Sequence, residues 1–168
     1  SKNGGFSSIF LKISSKSYLM ESLFWVLVLL ITFSTMEFMA WFSHKYIMHG
    51  FLWVLHKDHH KKNHKSWFER NDLFFIFYAI VSTIFVLAWG EYNFWPGLPI
   101  GIGIFCYGLT YFFVHDIFIH QRFKVFRNTN NHYAKALRRA HKIHHKHLGK
   151  NGGECFGMLW VPLKYLKK

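Results

Sequence analysis

The chain is poor in acid. Eight Asp and Glu stand against 21 Lys and Arg, a formal net charge of +13. Calcium and magnesium sites are built from clustered oxygen ligands, and so few carboxylates argue against them. Cysteine is scarcer still: Cys106 lies inside an apolar run and Cys155 near the end, with no CxxC spacing. Neither a disulfide framework, a thiolate metal site nor an iron–sulfur cluster is signalled. No GxGxxG follows a strand, and no haem attachment motif or secretory signal pattern is present.

What the chain has in quantity is apolar surface, 51% of 168 residues with 21% aromatic, gathered into long runs. Residues 1–18 read as a polar tail or short interfacial helix. Residues 19–42 are apolar apart from Glu21, Glu37 and a few hydroxyls, long enough at about 1.5 Å per residue to cross a hydrocarbon core of roughly 30 Å. Glu37 is too deep to face lipid and should look toward other helices. Further spans are expected over 73–89 and 100–114, the latter continuing to 120, joined by a loop with Pro96, Gly97 and Pro99. Residues 155–166 could lie in the interface or dip into the bilayer. The expectation is one all-α membrane domain, a multi-pass helical bundle whose helices extend into a histidine-rich region.

Charge sets the orientation. Lys and Arg number six in residues 43–72, twelve in 120–168, three before residue 20 and none in 90–99. The histidine-rich regions 43–72 and 115–147 therefore share one face, which the positive-inside rule makes cytoplasmic. Most of the +13 is juxtamembrane charge, which removes the case for a nucleic-acid binder.

Ten of thirteen histidines fall in four motifs: HxxxxH at His44/His49, HxxHH at His56/His59/His60, HxxxxH at His115/His120, and HxxHH at His141/His144/His145. In HxxHH the three imidazoles project from one side of a helix. In HxxxxH a straight α-helix leaves the pair about 140° apart, so the motif either bridges two sites or sits on a helix that bulges or ends. Ten ligands suit two ions with about five imidazoles each. Imidazole favours iron, copper, zinc or nickel. Asp58, Asp72 and Asp116 are candidates to accept from the imidazoles and fix their tautomers. His64, His132 and His147, outside the motifs in basic surroundings, read as solvated surface residues.

These residues resemble the fatty-acid hydroxylase / sterol desaturase superfamily of membrane di-iron enzymes, and the strings AWFSHKYIMHG, LHKDHH, WFERNDLFF, YGLTYFFVHDIFIHQRF and RRAHKIHHKHLGKNGGECFGML resemble its carotenoid β-ring hydroxylase branch. The similarity spans most of 36–159, with a departure after Gly149, where the chain reads Gly-Glu-Cys-Phe-Gly. The resemblance implies that the ten motif histidines ligate two non-haem iron ions. It implies O2-dependent hydroxylation of β-ionone rings at carbon 3, ending in zeaxanthin. The carotenoid would enter from the bilayer, with Trp41, Tyr111, Phe112 and Phe113 as candidates to line its path. Because the chain has no redox group of its own, a ferredoxin-like donor with its reductase is expected, with membrane lipid as the surroundings. The competing readings are a carotenoid ketolase, a fatty-acid or sterol hydroxylase, and a membrane metal binder without enzymatic activity.

Overall fold

The computed structural model describes residues 4–61, 66–149, 151 and 153–167, with side chains from residue 17 onward. Every regular element among them is helical. Helix α1 (Gly4–Phe42) runs on into a π-helical segment, Ser43–Phe51, and α2 (Trp53–His60) follows. Then come α3 (Asp72–Tyr92), α4 (Gly97–Tyr111) with its own π-helical continuation Phe112–Ile119, and α5 (His132–His144).

Helix α1 begins at Gly4, well before the span expected from residue 19, because no Pro or Gly interrupts residues 6–42. Thr32, Ser34 and Thr35 donate to carbonyls four residues back, each at 2.8 Å, so their hydroxyls are satisfied within the apolar run. Asn93, at φ 53°, ends α3 with a left-handed cap. Pro96 stands at the entry to α4, where its missing N–H costs nothing. Among the described residues, three helical stretches, Ser17–Phe51, Asp72–Tyr92 and Gly97–Ile119, are long and apolar enough to cross a membrane, as a membrane protein requires.

Helix α4 lies between the other two. A Cβ on Gly101 would sit 2.6 Å from Val86 Cγ2 of α3, and one on Gly103 would sit 2.8 Å from Thr32 Cβ of α1. Small residues thus let both partners close in, which is how helices associate where water offers no driving force. Met36, Ile104 and Tyr107 form the core of this packing. Since α3 leaves one end and α4 returns to it, both π-helical segments, α2 and α5 gather at that same end.

Helix α5 is a surface helix of the ordinary amphipathic kind. Asn131 caps it by accepting from the Ala134 N–H at 2.9 Å, and Ala136, Leu137, Ala140, His141 and His144 form the buried face. Residues 155–166 do not form a separate α-helix. They form an extended strap ending in a 3₁₀ turn, Leu163–Tyr165, with Phe156, Met158 and Val161 buried beneath it.

Candidate metal centre

The π-helical segments settle the geometry of HxxxxH. A π-helix bonds each N–H to the carbonyl five residues earlier, so residues five apart stack on one face. The His120 N–H donates to the His115 carbonyl at 2.8 Å in this register. His44 and His49 are brought to one cluster in the same way. Gly50, at φ −105° and ψ −126°, then breaks the helix and lets α2 turn back over the histidines before it.

The two HxxHH motifs are split. His56 and His60, four apart, join His44, His49 and His144, and the ligand atoms of these five all lie within 4.8 Å of one another. His59 faces the other flank of α2 and joins His115, His120 and His141 within the same limit. Helix α5 mirrors this: His141 faces the second cluster and His144 crosses to the first. His145 stands between them, its Nε2 2.9 Å from that of His141 and its ring stacked on His60 at 4.3 Å. All ten motif histidines are thereby gathered, and neither cluster is drawn from one half of the chain. His132 and His147 are exposed, and His64 lies outside the described residues.

Six of the rings are oriented from behind. His44 Nδ1–H donates to the Phe156 carbonyl at 2.9 Å, His49 to Leu148 at 3.0 Å and His144 to Glu154 at 3.1 Å. His56 donates to Asn71 Oδ1 at 2.7 Å, His59 to Glu69 Oε2 at 2.8 Å and His115 to Asp116 Oδ2 at 3.3 Å. Carbonyl and carboxylate oxygens only accept, so the proton sits on Nδ1 and the Nε2 lone pair points inward. His44 and His56 then face each other Nε2 to Nε2 at 3.0 Å, and His49 and His144 at 3.2 Å, with no proton to share. The buried Nε2 atoms of His59 and His115 find no hydrogen-bond partner among the described residues. Lone pairs packed this way are an arrangement that a cation satisfies, so the donor set fits a pair of imidazole-binding metal ions.

Electrostatics agree. Burial, reinforced by neighbouring imidazoles, holds His59, His60, His120 and His141 far below the ordinary histidine range. Burial first, and then His49, brings His144 down to about 3 and His145 to about 4, and burial brings His56 to about 3. At neutral pH these rings are uncharged and free to ligate.

Of the three expected acids, Asp116 is the one that accepts from a motif histidine among the described residues. Asp58 Oδ2 accepts from the Arg70 N–H at 2.8 Å, and Asp72 pairs with Arg122. Arg122, whose side chain is 7% exposed, reaches Asp116 at 2.9 Å, Asp72 at 2.8 Å and Glu69 at 3.2 Å, tying both carboxylates that hold the second cluster. Glu69, Asn71 and Arg122 went unnoticed as site residues in the sequence. The signal available was their place, just before span two and just after the third motif.

An apolar cavity of about 420 Å³ opens beside the clusters, within the usual range of small-molecule sites of roughly 300–1,000 Å³. Met36, Tyr78, Ile104 and Tyr107 line it, with His44 in its wall and Asn71, Asp72, Asp116 and Arg122 also contributing. The Ser43 and Tyr78 hydroxyls share a 2.6 Å hydrogen bond there. Tyr111 and Phe112 belong to the lining, whereas Trp41 packs against Phe38 and Tyr46, and Phe113 is 57% exposed.

Residues 26–163 match the family model described as Fatty acid hydroxylase. Beta-carotene hydroxylase of Pantoea ananas is 41% identical over 136 residues, 81% of this chain and 77% of that protein. Beta-carotene hydroxylase of Paracoccus sp. (strain N81106 / MBIC 01143) is 34% identical over 81% of this chain and 83% of its own length. Beta-carotene 3-hydroxylase 2, chloroplastic, of Arabidopsis thaliana is 40% identical over 76% of this chain and 42% of its own length. No solved structure matches the chain.

Proposed function

The chain belongs to the fatty acid hydroxylase family, and from that premise we propose that it hydroxylates carotenoid β-ionone rings at carbon 3, through a pair of iron ions held by its ten motif histidines. The observation that carries the reading is the apolar cavity with His44 in its wall: a ring-sized space that borders the first imidazole cluster.

Bound iron supplies the activation of O2 by two electrons, so that one oxygen atom enters the ring C–H as hydroxyl and the other leaves as water. The protein's own part is placement. His44, His49, His56, His60 and His144 hold one ion, and His59, His115, His120 and His141 hold the other, with His145 between. The Nδ1 partners of His44, His49, His56, His59, His115 and His144 keep the inward nitrogens of those six rings unprotonated. Met36, Ile104 and Phe112 hold the ring against the His44 wall and keep bulk water from it.

The two electrons must come from outside. Lys135, Arg139 and Lys142 along α5 and Lys146 just beyond its end are exposed beside the clusters and suit an acidic ferredoxin-like donor whose reductase completes the chain of supply. The positive charge on that end of the bundle supports, by the positive-inside rule, a cytoplasmic side for it in a multi-pass membrane protein. Turnover should slow as ionic strength rises, and salt-independent turnover would remove the docking reading.

Expression in cells that make β-carotene tests the function. Zeaxanthin, with its hydroxyl oxygen derived from labelled O2, is the expected product. Canthaxanthin, or hydroxyl oxygen derived from water, would refute the assignment.

A further inference from the structure

Glu37 is the one carboxylate on the half of α1 that packs beside the site, and it is fully engaged. Its Oε1 accepts the backbone N–H groups of Met158, Leu159 and Trp160 at 2.9, 2.8 and 2.9 Å. Its Oε2 accepts the Tyr107 hydroxyl at 2.7 Å. Three consecutive N–H groups converging on one oxygen make an anion nest out of backbone. The partners lie more than 120 residues away in sequence, so this carboxylate is what pins the strap to α1. Gly157 permits the approach, since a Cβ there would meet Glu37 Oε1 at 2.7 Å.

The strap does more than close the fold. Just before the pinned residues, the Phe156 carbonyl accepts from His44 and the Glu154 carbonyl accepts from His144, two rings of the first cluster. The Phe156 ring packs at 5.5 Å from His44, 5.2 Å from His49 and 5.1 Å from His144. On the other side Tyr107, 3% exposed, is part of the cavity wall. One carboxylate therefore fixes the backbone that orients two imidazoles and, through its second oxygen, a wall of the cavity in front of them.

We propose that Glu37 is a positioning residue for the first histidine cluster, acting through the strap: it sets the ring orientation of His44 and His144 and leaves the second cluster, whose partners are Glu69, Asp116 and Arg122, unaffected. This rests on the di-iron reading above. A carboxylate inside a membrane span is costly, and such residues mark function more often than packing. Removing a partner that orients a ligand typically costs about 10–100-fold in activity or metal affinity.

The test uses full-length protein in lipid nanodiscs loaded with iron-57, read by Mössbauer spectroscopy alongside iron content and turnover. Glu37→Ala should shift the signal of one iron and leave the other, with kcat reduced about 10–100-fold. Glu37→Gln, which keeps an acceptor oxygen for the strap, should restore part of both. Gly157→Ala disturbs the same contact from the strap side and should shift the same signal, which covers the case that Glu37→Ala does not fold. Signals of both irons unchanged, or both lost together with helicity in Glu37→Ala and Gly157→Ala alike, would overturn the proposal. Wild-type protein that binds no iron pair would instead overturn the di-iron reading itself.

Discussion

The two histidine clusters are built on the same ligand grammar but held by different chemistry. Behind the first stand neutral acceptors: the carbonyls of Phe156, Leu148 and Glu154 and the side-chain amide of Asn71. Behind the second stand the carboxylates of Glu69 and Asp116, with Asp72 beside them and one arginine, Arg122, among the three. A carboxylate accepting from an imidazole raises its basicity as a ligand more than a carbonyl does. Support also differs in reach: the first cluster takes two of its four acceptors, the Glu154 and Phe156 carbonyls, from the start of the strap and the residue before it, and the second takes its carboxylates from Glu69, just before α3, and Asp116, in the continuation of α4. The helices deliver ten similar imidazoles, and the surroundings make two unlike sites of them.

The largest effects should follow from breaking the crossover. His144→Ala, though in the second half of the chain, should empty the first site, and His59→Ala, in the first half, should empty the second. Each should leave iron content near half and abolish turnover, well beyond the roughly 10–100-fold cost of losing an outer partner. Iron analysis with Mössbauer spectra of the two variants should show complementary signals. Loss of the same signal from both variants would mean that the two clusters are one.

Next in size is Arg122→Met. It leaves Glu69, Asp72 and Asp116 facing one another without their shared cation, and losing one partner of a buried ion pair costs about 3–5 kcal/mol. Thermal unfolding in nanodiscs should fall accordingly, and the second iron signal should broaden while the first holds. Equal damage to both signals would show the arginine to be general scaffolding.

The contrast between the clusters explains what sequence could and could not tell. The gathering of the ten motif histidines, the three long apolar helices and the inward-looking Glu37 were legible because each follows from a local period: histidine spacing, apolar run length, one charge at span depth. The π-helical turns were not, since HxxxxH is equally consistent with a bulge and with a bridge, and what decides is packing of the helix end against α2 and α5. The splitting of HxxHH between sites also lay beyond sequence, because 56, 59 and 60 share one broad side of a helix, and the second cluster alone draws out His59. Glu69, Asn71 and Arg122 carry no periodic signature, and the carbonyls that orient His44, His49 and His144 carry no side-chain signature at all. Sequence also offered Trp41 and Phe113 as path residues with the same weight as Tyr111 and Phe112, since aromatic content does not reveal which face of a helix borders a cavity.

A smaller effect separates charge from hydrogen bonding. Asn71→Leu removes the acceptor of His56 and frees that ring to rotate, so turnover should drop about 10-fold, at the low end for such partners. Glu69→Gln keeps an acceptor for His59 but removes the charge, so geometry survives and only the electron richness of the second iron changes. Its reduction potential should rise, with turnover altered less than in Asn71→Leu. A larger turnover loss in Glu69→Gln would make charge, rather than orientation, the main contribution behind the second cluster.

The smallest effect is one the two clusters should share. In the folded, metal-free protein, burial brings His56 and His144 to about 3 and His145 to about 4, against about 6.5 in an unfolded chain. The unfolded state therefore binds protons first on acidification, and stability falls wherever it holds more of them. Contributions from these rings are fully present above about pH 6.5 and are lost progressively as pH falls toward the folded values of about 3 to 4. Metal-free protein in nanodiscs should thus show a melting temperature that is flat above pH 7 and declines below about 6.5. Iron-loaded protein should hold its plateau to lower pH, because bound metal competes with the same protons for Nε2. Since His120 and His141 of the second cluster are likewise held far below the ordinary range, His56→Phe and His141→Phe should each flatten the acid limb of the metal-free protein. A limb flattened by one substitution and not the other would mean that the difference between the clusters extends to their protons as well as to their partners.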